Sequence, residues 1–190
     1  MKRIYLAILI MAIAQSTFAQ ESQNDKDWFA SVGINAINSQ GTQSPFGDIG
    51  DWATGLPISF AVELKWDTGL AIEQALTLNS FSEGGVVDGV TLEEDLTYFA
   101  LDTHAKYYFG QKIFPEVKWL DLYGNAGFGL FSLDTTNVTF NLGGGILFWL
   151  NTRQTTGIRL QSIAKFALDS KDSGIDSNHF QTHLQVFFLL

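Results

Sequence analysis

Eight segments of alternating hydrophobicity, apolar rows set back to back with charged ones, and a short apolar leader together predict an all-β chain: an eight-stranded antiparallel up-and-down transmembrane β-barrel. Residues 58–66 show the pattern most plainly. Ile58, Phe60, Val62, Leu64 and Trp66 form one row, and Ser59, Ala61, Glu63 and Lys65 form the other. Successive side chains of a strand point to opposite faces. A soluble barrel packs its bulky apolar row inside. An unbroken apolar row backed by charge suits the reverse arrangement, apolar outside and polar inside.

The leader sets the context. Lys2 and Arg3 form a basic start, residues 4–13 are almost wholly apolar, and Thr17-Phe18-Ala19 offers small residues where a signal peptidase reads. Residues 1–19 are therefore expected to be a signal peptide, residues 20–27 a disordered lead-in, and residues 28–190 the barrel. A spanning helix needs ~20 apolar residues, and neither the leader nor any later segment is that long, so a membrane would be crossed by strands. Removing Lys2 and Arg3 takes the formal charge from −9 to −11. Such a surface excludes nucleic acid as a partner, because phosphate contacts need cations. The absence of cysteine excludes disulfides, zinc–thiolate sites and a thiol nucleophile.

The strands follow in order. Residues 28–36 set Trp28, Ala30, Val32 and Ile34 against Ser31, Gly33 and Asn35. Residues 57–66 form the second strand, and Asp67-Thr68-Gly69 a tight turn. In 70–81, Ile72, Leu76 and Leu78 oppose Glu73, Ala75 and Thr77, with Gln74 an exception on the apolar face. In 96–109, Thr97, Phe99, Leu101, Ala105 and Tyr107 oppose Asp102, His104 and Lys106. In 119–133, Leu122, Ala126, Phe128 and Leu130 oppose Asp121, Tyr123, Asn125 and Gly127. Residues 139–150 set Phe140, Leu142, Ile146 and Phe148 against Asn141, Gly143, Gly145 and Trp149. Residues 155–168 set Ile158, Leu160, Ala164 and Phe166 against Arg159, Gln161 and Lys165. The last strand, 179–190, sets Phe180, Leu184, Val186 and Phe188 against His179, Gln181, His183 and Gln185.

Connections alternate between long and short, as extracellular loops and periplasmic turns do; the brief link after 133 is the weak member. Trp28, Trp66, Trp119 and Trp149 fall at the short-turn strand ends and read as an aromatic girdle, with Phe81, Phe99, Phe131, Phe140, Phe166 and Phe180 near the opposite ends.

The inward rows collect Glu63, Lys65, Glu73, Asp102, His104, Lys106, Asp121, Arg159 and Lys165, together with His179 and His183. An eight-stranded barrel is only wide enough inside for side chains, and a buried charge without a partner is costly. These residues are expected to form a salt-bridge network that plugs the lumen; a narrow gated pore is the rival reading. Asp102 and His104 share a face as a base and its orienter would, but no serine is placed with them. His179 and His183, four apart, lack a third metal ligand. No catalytic residue, cofactor or metal is therefore assigned. The outer loops are acidic, with Asp48, Asp51, Glu83, Asp88, Glu93, Glu94, Asp95, Asp134, Asp172 and Asp176 against Lys171 alone. Gly143-Gly144-Gly145 lies within a strand and lacks the lysine of a phosphate loop; glycine there lets the barrel bend or admits a bulky neighbour, Trp149 or Tyr123.

Three stretches carry a resemblance. Residues 101–109 (Leu101-Asp102-Thr103-His104-Ala105-Lys106-Tyr107-Tyr108-Phe109), the glycine-rich pair 121–129 and 140–145, and the closing 179–188 are similar to the small outer-membrane β-barrels of Gram-negative bacteria, the OmpA-like transmembrane domains and OmpX-like proteins. The closing strand departs from that pattern by ending Phe188-Leu189-Leu190 rather than on an aromatic. The glycine-rich style and the Ala19-Gln20 junction resemble Bacteroidetes proteins. The resemblance implies a porin-like wall in the outer membrane, outer-membrane lipid and lipopolysaccharide as surroundings, and the barrel-assembly machinery as a partner. It implies a non-enzymatic role through the rim loops, in envelope integrity, adhesion or contact with an extracellular ligand. A lipid-A-modifying enzyme on the same scaffold is the alternative.

Overall fold

The structure, a computed structural model, describes residues 26–38, 47, 49–87, 90–133, 135–168 and 178–190. Eight strands carry the alternation: β1 (Lys26–Ile37), β2 (Ile58–Trp66), β3 (Leu70–Phe81), β6 (Leu96–Tyr108), β7 (Leu120–Ser132), β8 (Thr136–Trp149), β9 (Thr156–Ala167) and β10 (His179–Leu189). Two short strands, β4 (Val86–Val87) and β5 (Val90–Thr91), make a separate hairpin between β3 and β6. Every ladder is antiparallel, and the ring closes where β1 pairs with β10, from Phe29 opposite Leu189 to Ile37 opposite Gln181. The all-β, eight-stranded up-and-down barrel expected from the alternation is the observed fold.

Strand limits differ from the expected ones by at most three residues. β8 starts at Thr136 rather than 139, because its ladder with β7 runs to the Ser132–Thr136 pair. β1 starts at Lys26, since Lys26 and Asp27 pair with Trp66 and Lys65. Those two residues therefore belong to the wall rather than to a lead-in. The expected signal peptide and the remainder of the lead-in lie outside the described residues.

One end of the barrel is built from short turns. Gly69, at φ +87°, closes the β2–β3 turn, a conformation glycine adopts without steric cost. Its carbonyl then accepts the Tyr108 N–H at 2.8 Å, fastening the turn to β6. A one-turn helix, α1 (Gly110–Ile113), fills the β6–β7 connection. No helix of the described residues is long and apolar enough to cross a membrane.

The alternation sorts side chains by face as the sequence implies. Ile34 (56% exposed), Phe128 (60%) and Leu142 (52%) stand on the outside, whereas Glu73, His104 and Lys165 are fully buried inside. Leu64 departs in degree: it sits on the outward row but is only 5% exposed, between Trp28 and Ile72 on the neighbouring strands.

The interior also holds two apolar clusters. At the loop end, Ile37, Phe81, Tyr98, Ala100 and Phe131 pack with Ala53 of the first loop and with Val87 and Leu92 of the β4–β5 hairpin and the residues after it. At the turn end, Phe29, Ala71, Tyr108, Tyr123, Leu147, Trp149 and Phe187 form the second. Some aromatics expected in the outer belts are therefore inside. Trp149 is 6% exposed and packs edge-on against Phe187 at 5.9 Å. It shares the parity of Asn141 and Leu147, which points it inward. Phe81 and Phe131 are buried for the same reason. Trp28 (50% exposed) and Trp119 (57%) do stand outside, and Trp66 is partly exposed on its outward row.

Candidate functional site in the barrel interior

Between the two apolar clusters lies a layer of ions. Lys106 Nζ donates to Glu73 Oε2 at 2.6 Å and to Glu63 Oε2 at 3.0 Å. Arg159 Nη1 lies 2.6 Å from Glu73 Oε2 and 3.2 Å from Glu63 Oε2. Two acids from β2 and β3 thus share two cations from β6 and β9. Neutral groups complete the set: Arg159 donates to Ser31 Oγ at 2.9 Å and to Gln185 Oε1, and Tyr108 Oη donates to Glu63 Oε1 at 2.7 Å. Lys106 also lies over the Tyr123 ring at 4.7 Å, and Arg159 over Phe187 at 5.2 Å. A buried charge needs both a partner and satisfied hydrogen bonds; this cluster supplies a partner for each charge and most of the hydrogen bonds, leaving Glu73 Oε1 without one.

A second pair stands toward the loop end. Lys165 Nζ donates to Asp102 Oδ1 at 2.6 Å, and Asn141 Nδ2 donates to the same oxygen at 2.8 Å. His104 sits between the clusters, with Nε2 3.2 Å from Asn141 Nδ2 and Nδ1 3.5 Å from Glu73 Oε1. A catalytic base would need a nucleophile within hydrogen-bond reach. The contacts of His104 are an amide and a carboxylate, not a hydroxyl. Near the loop-end cluster, Tyr98 Oη lies 2.7 Å from His179 Nε2, and Gln181 Nε2 donates to Tyr98 Oη.

The remaining pair, Lys65 and Asp121, is separate. It lies at the turn end with 3.7 Å between Nζ and Oδ2 and is partly open to solvent. The nine expected lumen residues are therefore all inward, but they form three groups rather than one. Sequence reading left Ser31, Tyr123, Asn141 and Gln185 out of the ion network although it placed them on inward rows, because their polarity is weaker than that of the ions. Tyr108 was missed for another reason: it ends its strand beside Tyr107 and Phe109 among the aromatics of the turn end, and only its parity with Lys106 marks it as inward. Gly145 has a visible reason: a Cβ there would collide with Tyr123 Oη, which donates to Gln161 Oε1 at 2.5 Å. Tyr123, not Trp149, is the bulky neighbour.

No protein-family model matches the chain, and no curated protein sequence matches it. Solved structures do. Neisserial surface protein A (NspA) aligns over 89% of this chain and 99% of its own, at 9% identity and TM-score 0.55. The Yersinia pestis outer membrane protein Ail, in a phospholipid bilayer nanodisc, aligns over 87% and 100% at 13% identity and TM-score 0.51. The fold is that of these small barrels. The N-terminal β-barrel domain of Pseudomonas aeruginosa OprF aligns over 85% and 97%, at 13% identity and TM-score 0.47.

Proposed function

We propose that the chain is a non-enzymatic integral protein of the outer membrane, exported behind residues 1–19 and inserted by the barrel-assembly machinery, whose plugged barrel holds its loops at the cell surface. The observation that carries this is the inversion of the wall. Every strand of the ring turns an apolar row outward, as on Leu142, Leu160 and Leu184, while charges are buried and paired within. Monomeric soluble proteins rarely expose apolar patches beyond a few hundred Å²; a bilayer covers such a wall. The likeness to NspA and to Ail in a bilayer nanodisc supports the same placement.

The layer of ions, closed above and below by apolar clusters, favours a plug over a pore. The loops are then the part free to meet lipopolysaccharide or an extracellular ligand, in envelope integrity or adhesion. Asp51, Glu83, Glu93, Glu94 and Asp95 lie in the described parts of these loops; Asp48, Asp88, Asp134, Lys171, Asp172 and Asp176 fall outside them. Membrane fractionation combined with heat-modifiable migration on a detergent gel tests the reading. Sedimentation with outer membranes and a folded band that shifts on boiling support it. A protein leaving in the soluble periplasmic fraction overturns it.

A further inference from the structure

Gln74 interrupts the outward row of β3, where Leu70, Ile72, Leu76 and Leu78 are aliphatic. Across the wall it stands between Val62 of β2 and Thr103 of β6, with Phe128 of β7 next in the row. Val62 is 43% and Phe128 60% exposed, so the amide lies in an open apolar face. A primary amide has two N–H donors and a carbonyl acceptor. Gln74 Nε2 donates to Thr103 Oγ1. Its second N–H and its carbonyl oxygen have no partner among the described residues.

The depth of this amide decides what can complete it. Leu70 and Tyr107 pair at the turn end of the two strands, where Lys112 donates to Tyr107 Oη. Gln74 and Thr103 each lie four residues further in. At ~3.3 Å per residue and a tilt of ~40°, that is roughly 10 Å of depth, close to the middle of an apolar band ~25 Å tall. Lysine and arginine reach the interface on long stems; a glutamine side chain is too short to return its amide to water from there. Lipid tails offer neither donor nor acceptor, and a polar group left unsatisfied in hydrocarbon costs free energy.

The completing group must bring one acceptor and one donor to the same depth. The same amide on a second copy of the chain does this. A two-fold axis along the membrane normal sets two Gln74 side chains level, each N–H facing the other's carbonyl, as an isologous contact requires. Ala105 and Ala126, paired on the adjacent row and exposed, are small enough for two walls to approach closely.

We propose that the wall around Gln74 is a dimer interface, in which the amides of two copies pair across that axis. This contact rests on the outer-membrane placement proposed above, since in water the same amide would be solvated.

Energy transfer between copies tests it. The whole barrel carrying Thr68→Cys, in the exposed β2–β3 turn, is labelled in separate batches with donor and acceptor dyes and reconstituted together in phosphatidylcholine vesicles at low protein-to-lipid ratio. Flotation with the vesicles and heat-modifiable migration verify insertion and folding of every variant. Transfer is expected that falls on dilution with lipid and on adding unlabelled wild type. Gln74→Leu, which continues the aliphatic row, should weaken the dimer about tenfold, the effect of two hydrogen bonds of the strength usual between membrane segments. Ser162→Val also replaces an outward polar residue, but on β9 across the ring, and should leave the dimer unchanged. A folded, inserted wild type that shows no transfer overturns this contact alone. So does equal transfer in Gln74→Leu, or equal weakening by Ser162→Val. A wild type that does not insert overturns the membrane placement and this contact with it.

Discussion

Arg159 on β9 and Glu73 on β3 meet at 2.6 Å although their strands stand directly opposite in the ring of eight. The contact crosses the full width of the interior. Lys106 from β6 and Glu63 from β2 complete it, so four strands are tied through one cluster. Such pairs are poor evidence of net stability, because desolvation offsets attraction. Their effect shows when one member is removed and the others stay charged.

Arg159→Met therefore strands two buried carboxylates with only Lys106. The expected cost is about 3–5 kcal/mol of unfolding free energy, the usual penalty for breaking a buried pair. Urea unfolding of the barrel in lipid vesicles measures it. Pairing Arg159→Met with Glu73→Gln should recover part of that loss, and strictly additive effects would show that the two residues do not interact.

The outward wall gives a depth-dependent expectation. Leu142 lies mid-strand in β8 and is 52% exposed, while Leu150 lies just past its end and is 62% exposed. Arginine at the bilayer midplane costs about 2–4 kcal/mol and near the interface about 0–1 kcal/mol. Leu142→Arg should lower the folded fraction after refolding into vesicles, and Leu150→Arg should scarcely change it. Equal losses at both positions would contradict the assignment of the wall. Leu64 is a poorer probe, because its burial adds a packing penalty.

The loop-end cluster predicts a proteolytic phenotype. Val87 and Leu92 are 4% and 5% exposed against Phe81, Tyr98 and Phe131. Val87→Asp would place a charge in that apolar contact. The segment between β3 and β6 should then be cut faster by limited proteolysis while the barrel still migrates as folded. Unchanged cleavage would mean that the hairpin does not depend on this packing.

The ring of strands was legible because period-two alternation is a property of each strand alone. Residues 70–81 were delimited to the residue, and Glu73 and Arg159 were placed on inward rows by parity. Parity could not pair them, since contacts across the lumen depend on which strands end up opposite. Aromatic residues misled for a related reason. Trp149 and Phe131 were assigned by position along the strand, and their inward parity decided against it. The β4–β5 hairpin left no alternation long enough to read, being two residues per strand. The interior's apolar ends follow from inward Phe29, Tyr108 and Phe187, aromatic residues that the contrast between charged and apolar rows passed over.

The inversion of the wall is tested most directly along β9, in a chain that has no native cysteine. Single cysteines at 158, 160, 164 and 166 would carry spin labels on the barrel reconstituted in lipid bilayers. The account predicts collision with lipid-soluble oxygen, rising toward mid-strand, and little contact with a water-soluble nickel complex. Labels at these positions that meet the nickel complex and not oxygen, in a protein that remains folded, would contradict it.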